Sequence, residues 1–319
     1  MIVWGIFIAF IILFLALDLG VFNRNPHVIK TKEAAIWTGI WVTVALGFSG
    51  VIYWLFNDGL IENPTDLTPK VAVLKYITGY LIELSLSIDN VFVIAVIFSS
   101  FAIPKKYQHE VLFWGILGAI VFRALMIFFG VALINKFDWI IYVFGAFLLF
   151  TAFRMLFHKE EEFEPKKSKM FRFLKKLFPI SYKMDGDKFF IKRMGIRAAT
   201  PLFVALIIIE LTDILFALDS IPAILAITAD PFIVFSSNIL AILGLRSMYF
   251  LISRMLTKFR FINYSLVVIL AFVGVKMILS HNVEIPEWLS LAVIGTSLGG
   301  GIIASLLIPD PNPQPTEED

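Results

Sequence analysis

Long apolar stretches, separated by short polar segments, run along almost the whole chain. Most of them reach the roughly 20 apolar residues that an α-helix needs to cross a bilayer. The first stretch has neither the basic start nor the small-residue cleavage site of a signal peptide, so we interpret it as a membrane helix. The pattern predicts an all-α polytopic membrane protein with about nine transmembrane helices. These helices lie near residues 2–22, 34–56, 72–98, 111–134, 139–157, 199–227, 232–253, 262–279 and 288–308.

A single transmembrane domain, residues 1–308, holds all of the predicted spans. Between the fifth and sixth spans lies a basic loop, residues 158–198, which contains 12 Lys and Arg. Within that loop, residues 169–178 place apolar side chains on one helical face and predict an amphipathic helix at the inner membrane surface. The tail, residues 309–319, is acidic and rich in proline, and we expect it to be disordered.

Basic residues are concentrated in the connections that follow odd-numbered spans, whereas acidic residues predominate after spans 2 and 8. Connections rich in lysine and arginine stay in the cytoplasm. The alternation therefore predicts an N-terminus outside and a C-terminus in the cytoplasm. Opposite locations for the two termini agree with an odd number of spans.

Composition supports the membrane interpretation and limits the chemistry. Apolar residues make up 59% of the chain, against about 45–50% in soluble domains, and the mean hydropathy is +0.87. The absence of cysteine excludes disulfides and thiolate metal sites. There is no P-loop, so nothing indicates nucleotide-driven transport within this chain. We expect no nucleic-acid partner, and the sequence does not indicate the oligomeric state.

Two parts of the chain resemble each other. Residues 83–90 and 213–220 both read as an acid, five residues, an acid and a small polar residue. The following spans also match, and each carries one arginine, Arg123 or Arg246. The repeats, about 72–157 and 199–279, contain three spans each, so they would cross the membrane in opposite senses. Inverted repeats of this kind are typical of secondary transporters, whose binding sites lie near the bilayer midplane.

Carboxylates inside the predicted spans are the candidate chemistry. An acid at a helix centre costs about 2.5–3.5 kcal/mol, so five acids facing lipid would cost on the order of 12–17 kcal/mol. Two arginines cannot neutralise five acids, and the deficit indicates bound cations. Protonation would relieve the repulsion when no metal is bound, which gives a route for exchange with protons. The five acids are Glu83, Asp89, Glu210, Asp213 and Asp219.

All of the candidate ligands offer oxygen atoms. Oxygen donors suit Mn²⁺, Ca²⁺ and Mg²⁺ better than Zn²⁺ or Cu⁺. The acid–arginine network could instead hold helices together, and Asp18, near the end of the first span, fits a solvated helix end as well as an accessory site. Pro222 predicts local unwinding near Asp219, and weaker unwinding is expected near Asp89 and Asn90. The predicted metal ligands are Glu83, Asp89, Asn90, Glu210, Asp213, Asp219, Ser220 and Asp18.

At these residues the sequence resembles the TerC family of bacterial membrane proteins, particularly its Alx branch. The resemblance rests on residues 79–92, 137–140, 144–150, 210–223 and 242–249 and extends over roughly residues 1–308. It implies export of Mn²⁺ across the bacterial inner membrane. It also carries the family's intramembrane acids over to the same five positions in spans 3 and 6.

Three classes of function remain open from the sequence. A secondary transporter that exports Mn²⁺, with protons as counter-ion, accounts for most of the features. An intramembrane aspartyl protease would resemble its class through Tyr-Asp and Gly-x-Gly-Asp motifs, and neither motif occurs. A membrane partner or insertion accessory would use the acids only structurally. We therefore expect a transporter and not an enzyme.

Overall fold

The computed structural model describes residues 2–17, 30–63, 66–137, 139–157, 164–181, 184–193, 196–253, 261–280, 283 and 285–308. Within these residues the chain forms ten α-helices and one short hairpin, which confirms an all-helical membrane protein in outline. The helices are α1 Ile2–Leu17, α2 Thr31–Asn57, α3 Pro69–Ser100, α4 Lys105–Lys136, α5 Ile140–Phe157, α6 Lys169–Leu177, α7 Pro201–Leu225, α8 Pro231–Ile252, α9 Ile262–Leu279 and α10 Glu287–Leu307.

Eight of the predicted spans correspond to helices that are long and apolar enough to cross a membrane, namely α2–α5 and α7–α10. The described part of α1 is apolar but shorter. Its 16 residues extend about 24 Å, less than the roughly 30 Å of a bilayer core. The predicted first span, residues 2–22, continues into residues that the structure does not describe, so nine spans stay a prediction.

Proline and capping residues set where several helices begin. Pro69, Pro201 and Pro231 occupy the first positions of α3, α7 and α8, where the missing N–H has no intrahelical partner to lose. Asp230 caps α8, because its Oδ1 accepts hydrogen bonds from the backbone N–H groups of Phe232 at 3.0 Å and Ile233 at 2.9 Å. These prolines and the Asp230 cap define the first residue of each of these helices. They therefore also determine which residues lie near the middle of each helix.

Helix α8 lies at the centre of the bundle and is buried along nearly its whole length. Helix α3 packs against α8, α4 packs against α7, and α5 packs against α9. The α5–α9 contact is a close backbone approach, since a Cβ added to Gly145 would lie 3.0 Å from the carbonyl oxygen of Gly274. Small residues permit such crossings in membranes, where helix association depends on close packing.

The predicted unwinding within the spans was wrong. Helix α7 is continuous from Pro201 to Leu225 and includes both Asp219 and Pro222. Helix α3 is likewise continuous through Asp89. Pro222 removes one backbone bond, to the carbonyl of Leu218, and the helix continues past it for three more residues. The acids of both helices therefore project from regular helical backbone.

The basic loop is more structured than the sequence predicted. The amphipathic helix is present as α6, in which Leu174 is buried while Phe173 and Leu177 are exposed. Beyond it, β1 Phe190–Arg193 and β2 Ile196–Ala199 form an antiparallel hairpin that the sequence analysis did not anticipate. The predicted disordered tail, 309–319, and Asp18 lie outside the described residues.

Candidate functional site

Arg123 occupies the centre of the bundle, near the middle of α4, and its side chain is 1% exposed. Its Nη2 donates to Asp213 Oδ1 at 2.8 Å and its Nε donates to Asp213 Oδ2 at 3.0 Å. Its Nη1 donates to Glu83 Oε1. A guanidinium suits this position because its planar fork binds one carboxylate through two parallel bonds and keeps a further donor for another. Arg123 therefore joins the first acids of the two matched segments, 83–90 and 213–220.

Glu83 is fully buried near the middle of α3. Its Oε2 accepts a hydrogen bond from Asn238 Nδ2 of α8 at 2.8 Å, and its Oε1 accepts a longer bond from Ser87 Oγ at 3.5 Å. The sequence analysis missed Asn238. A signal was available, because Asn238 ends a run of three polar residues, 236–238, inside a largely apolar helix.

We call Glu83, Arg123, Asp213 and Asn238 the central cluster. Taken as ionised, its two carboxylates and one guanidinium leave one net negative charge in the interior of the bundle. An unbalanced charge is costly in a low-dielectric interior. The central cluster therefore provides a place where additional positive charge, from a metal ion or a proton, would be stabilised.

Two predicted ligands border the central cluster without strong bonds to it. Asn90 Nδ2 donates to Asp213 Oδ1 at 3.5 Å, and Ser220 Oγ accepts from Arg123 Nη1 at 3.5 Å. Both distances lie at the long limit for a hydrogen bond. Asn90 and Ser220 are nevertheless buried, with 4% and 1% exposure. Their oxygens are therefore close to the cluster and only weakly engaged by it.

Buried oxygen atoms around the cluster lack hydrogen-bond partners among the residues that the structure describes. They are Asn90 Oδ1, Asn238 Oδ1 and Glu210 Oε2, one each from α3, α8 and α7. Nearly all buried polar atoms in folded proteins have a partner. Since all three are acceptors, a cation or a water molecule would satisfy them. This donor set fits an oxygen-ligated metal ion.

Glu210 lies one helical turn before Asp213 on α7 and faces α4. The side chain occupies space that Gly118 leaves open, because a Cβ added there would collide with the Glu210 carboxylate. Near it, a cavity of about 30 Å³ is bordered by Asn90, Thr212 and Asp213 together with apolar side chains. That space is sufficient for one or two water molecules.

Asp219 lies elsewhere on α7. Its Oδ1 accepts a hydrogen bond from Thr151 Oγ1 of α5 at 3.0 Å, and its side chain is partly buried. Asp89 is also partly buried, on α3 beyond Glu83. In the part of the chain that the structure describes, no three His, Cys, Asp or Glu side chains are grouped closely enough to hold a metal ion. The complete predicted ligand set thus stays a prediction. Glu83, Asp213 and Ser220 do contact Arg123, and Asn90 contacts Asp213.

Comparison with known proteins identifies the family. The model of the family described as "Integral membrane protein TerC family" matches residues 68–312. The chain belongs to the TerC family. The resemblance seen in the sequence is therefore confirmed, and the matched region includes α3, α4, α7 and α8, which carry the central cluster.

Several TerC relatives are similar over nearly their whole length. "Uncharacterized membrane protein STKORF319" of Myxococcus xanthus is 49% identical over 304 residues, covering 95% of this chain and 92% of the relative. "Putative membrane-bound redox modulator Alx" of Escherichia coli strain K12 is 44% identical over 292 residues, covering 91% and 90%. An uncharacterized membrane protein of Rickettsia bellii is 41% identical over 304 residues, covering 95% and 97%. No solved structure matches.

Proposed function

We propose that this TerC protein is a secondary transporter that exports a hard divalent cation, foremost Mn²⁺, across the bacterial inner membrane, with protons as counter-ion. The observation that carries the proposal is the excess of oxygen acceptors over cations at the centre of the bundle. Arg123 serves two carboxylates, and three further buried oxygens nearby have no partner within the described structure. Oxygen-rich sites of this kind suit Mn²⁺, Ca²⁺ and Mg²⁺.

Arg123 gives the proposal a physical mechanism. In the observed arrangement its guanidinium acts as a tethered counter-ion for Glu83 and Asp213. A divalent cation that enters near Asn90 and Glu210 competes with the guanidinium for the Asp213 carboxylate. Arg123 keeps its bond to Glu83 while Asp213 turns to the metal. When the metal leaves, return of the guanidinium or protonation of a carboxylate restores the charge balance.

Helix packing supports the inverted repeat that alternating access requires. Exchange of the two proposed copies would replace α3 with α7 and α4 with α8. The α3–α8 contact then becomes the α7–α4 contact, and both are extensive. The α5–α9 contact maps onto itself. Helices α1, α2 and α10 lie outside the two copies, and with α1 counted as a span the chain crosses the membrane nine times, with the N-terminus outside.

The printed name of the Alx relatives describes a membrane-bound redox modulator. This chain contains no cysteine, so an effect on redox state would not act through its own thiols. Transport of a redox-active metal ion is compatible with such a name.

Metal flux into sealed vesicles tests the proposal. We expect purified protein in proteoliposomes to move Mn²⁺, and to move Zn²⁺ far more slowly, with Ca²⁺ and Mg²⁺ measured alongside. Asp89→Asn and Asp219→Asn should each stop the flux, whereas Glu62→Gln, which removes an exposed acid between α2 and α3, should not. Flux equal to that of empty vesicles for all four ions would refute a transport function.

A second function has one observation in its favour. Arg123 and its two carboxylates form the kind of ion-pair network that could hold helices together without transport. The protein would then be a membrane partner or an insertion accessory. Under that alternative, the wild-type protein would carry no metal flux, and loss of Arg123 or of an acid would only destabilise the bundle.

A further inference from the structure

A second group of charged residues lies at the end of the bundle where α3 begins and α10 begins. Lys276 Nζ of α9 lies 2.9 Å from Glu287 Oε2 of α10, and Lys75 Nζ of α3 lies 3.4 Å from Glu287 Oε1. Each carboxylate oxygen of Glu287 therefore contacts one lysine. The three side chains are 9%, 16% and 18% exposed for Lys276, Lys75 and Glu287. Partial burial makes these ion pairs stronger than pairs on an open surface.

Further hydrogen bonds extend the group to a fourth segment. Lys75 Nζ also donates to the carbonyl oxygen of Ile227, just beyond α7, at 2.8 Å. Lys276 Nζ also donates to Ser290 Oγ of α10 at 2.9 Å. The lysines therefore tie the ends of α3, α7, α9 and α10 together. Since α10 packs on α3 and α9, Glu287 fastens α10 to both of its neighbours.

A polar seam connects this group to the central cluster. Lys75, Gly79 and Glu83 are four residues apart on α3 and lie on one helical face. A Cβ added to Gly79 would lie 3.0 Å from Ser237 Oγ, so α3 and α8 approach closely there. Ser237 precedes Asn238, which binds Glu83. The seam therefore leads from the central cluster toward the lysines along the α3–α8 contact.

The space beyond the seam is balanced in charge. A cavity of about 520 Å³ is bordered by Lys75, Lys276, Glu287 and the segment around Ile227. Asp230, buried at the start of α8, also acts electrostatically on Lys75. With all four groups ionised, two positive charges face two negative charges. Among these described groups there is no surplus of either sign to attract a ligand, so the arrangement favours a clasp between helices over a second ion site.

We propose that Lys75, Lys276 and Glu287 form a latch that closes this end of the polar seam over the central cluster. Opening requires Glu287 to leave at least one lysine, which frees α10 from α3 or α9. The proposal rests on the proposed transport function, because it assigns the latch to the passage that a transported cation would use. It names α10, which lies outside both proposed repeats, as the element that controls access at this end.

A single engineered thiol can test the latch, because the chain has no cysteine of its own. Ile224 is fully buried on the last turn of α7 and lies near Gly79, beneath the latch. Ile224→Cys, placed in lipid nanodiscs so that both faces are accessible, should react slowly with a polar thiol reagent. Adding Glu287→Gln should raise the labelling rate about tenfold or more, since loss of partly buried ion pairs shifts an opening equilibrium strongly.

A conservative variant and a distant thiol provide the controls. Glu287→Asp keeps a carboxylate for the two lysines and should leave the labelling of Ile224→Cys closer to the slow rate than Glu287→Gln does. Ile97 is fully buried at the opposite end of α3, and the labelling of Ile97→Cys should not change with Glu287→Gln. Faster labelling at both positions would indicate general loosening and would overturn the latch, as would an unchanged rate at position 224. Labelling does not depend on flux, so failure of metal transport would refute the transporter proposal separately.

Discussion

Two aspartates of α7, only six residues apart, lie in different surroundings. Asp213 is held by two bonds from Arg123, in the central cluster that also contains Glu83. Asp219 accepts a hydrogen bond from the Thr151 hydroxyl and is partly buried. The first position is bonded directly to a guanidinium, whereas the second is bonded to a hydroxyl and interacts with the charge of Arg154 only electrostatically. The two acids are therefore not equivalent members of one site in this conformation.

Helical geometry explains the difference. Six residues turn a straight helix by about 600°, which leaves the two side chains about 240° apart around its axis. Asp213 therefore faces α3 and α4, while Asp219 faces α5. The same spacing occurs in α3 between Glu83 and Asp89. The first acid of each pair, Glu83 or Asp213, thus contacts the central arginine. The second acid of α7, Asp219, lies on another face of its helix.

The largest effect should come from Arg123→Met, which removes the central charge and leaves two carboxylates without their cation. Removing one partner of a buried ion pair typically costs about 3–5 kcal/mol. We expect a marked fall in the thermal unfolding midpoint of the detergent-solubilised protein. Arg172→Met, at an exposed position of α6, serves as control. Equal midpoints for the two variants would contradict a structural role for the central arginine.

Asp219→Asn separates function from stability. The asparagine keeps a carbonyl oxygen for the Thr151 hydroxyl but lacks the negative charge that a divalent cation needs. We expect a folded protein whose unfolding midpoint is close to that of the wild type and whose Mn²⁺ flux is lost. Undiminished flux would show that Asp219 supplies no essential charge, and would leave the central cluster as the remaining candidate.

Gly118→Ala tests the position of Glu210. The added methyl group would occupy the place of the carboxylate, so the glutamate must move. We expect Mn²⁺ flux to fall by up to about 100-fold, the order that a misplacement of about 1 Å costs at a functional site. Gly115→Ala on the same helix is the matched control, because its nearest contact would be 3.7 Å. Similar flux from both variants would remove Glu210 from the transport path.

Thr151→Val should give the smallest change. It keeps the shape of the side chain and deletes the hydroxyl that donates to Asp219. The loss of one partly exposed hydrogen bond should lower stability by about 1 kcal/mol. Thr43→Val, at an exposed position of α2, should change stability less. If Thr151→Val lowered stability more than Arg123→Met does, the surroundings of Asp219 would matter more for folding than those of Asp213, which would contradict the comparison.

The length of the apolar stretches predicted the membrane helices. The free-energy cost of placing charged side chains in a membrane drew attention to the acids that these helices carry. Apolar length identified eight helices of sufficient length, and the expense of buried charge singled out Glu83, Asp213 and Arg123. The same arguments could not predict which side chains bind each other across neighbouring helices. Asn238 was missed because an amide is far less costly in a membrane than a carboxylate, and its role depends on which face of α8 meets α3.

Two further features, the continuity of α7 and the hairpin, also differ from what the sequence predicted. A proline inside a span predicted unwinding, but α7 continues past Pro222 for three more residues. The hairpin β1–β2 was missed because its sequence, residues 190–199, is too basic and too short to show a clear alternating pattern.

The crossing of α5 and α9 has a mechanical consequence. Gly145 and Gly274 bring two backbones into contact, and the side chains of Ile278 and Leu149 pack against the two glycines. Such a crossing fixes the distance between the two helices at that point. Thr151, which holds Asp219, and Lys276, which holds Glu287, lie on the two helices that meet there. The glycine pair therefore sets the spacing of the helices that carry these two residues, and a methyl group on either glycine would force the two helices apart.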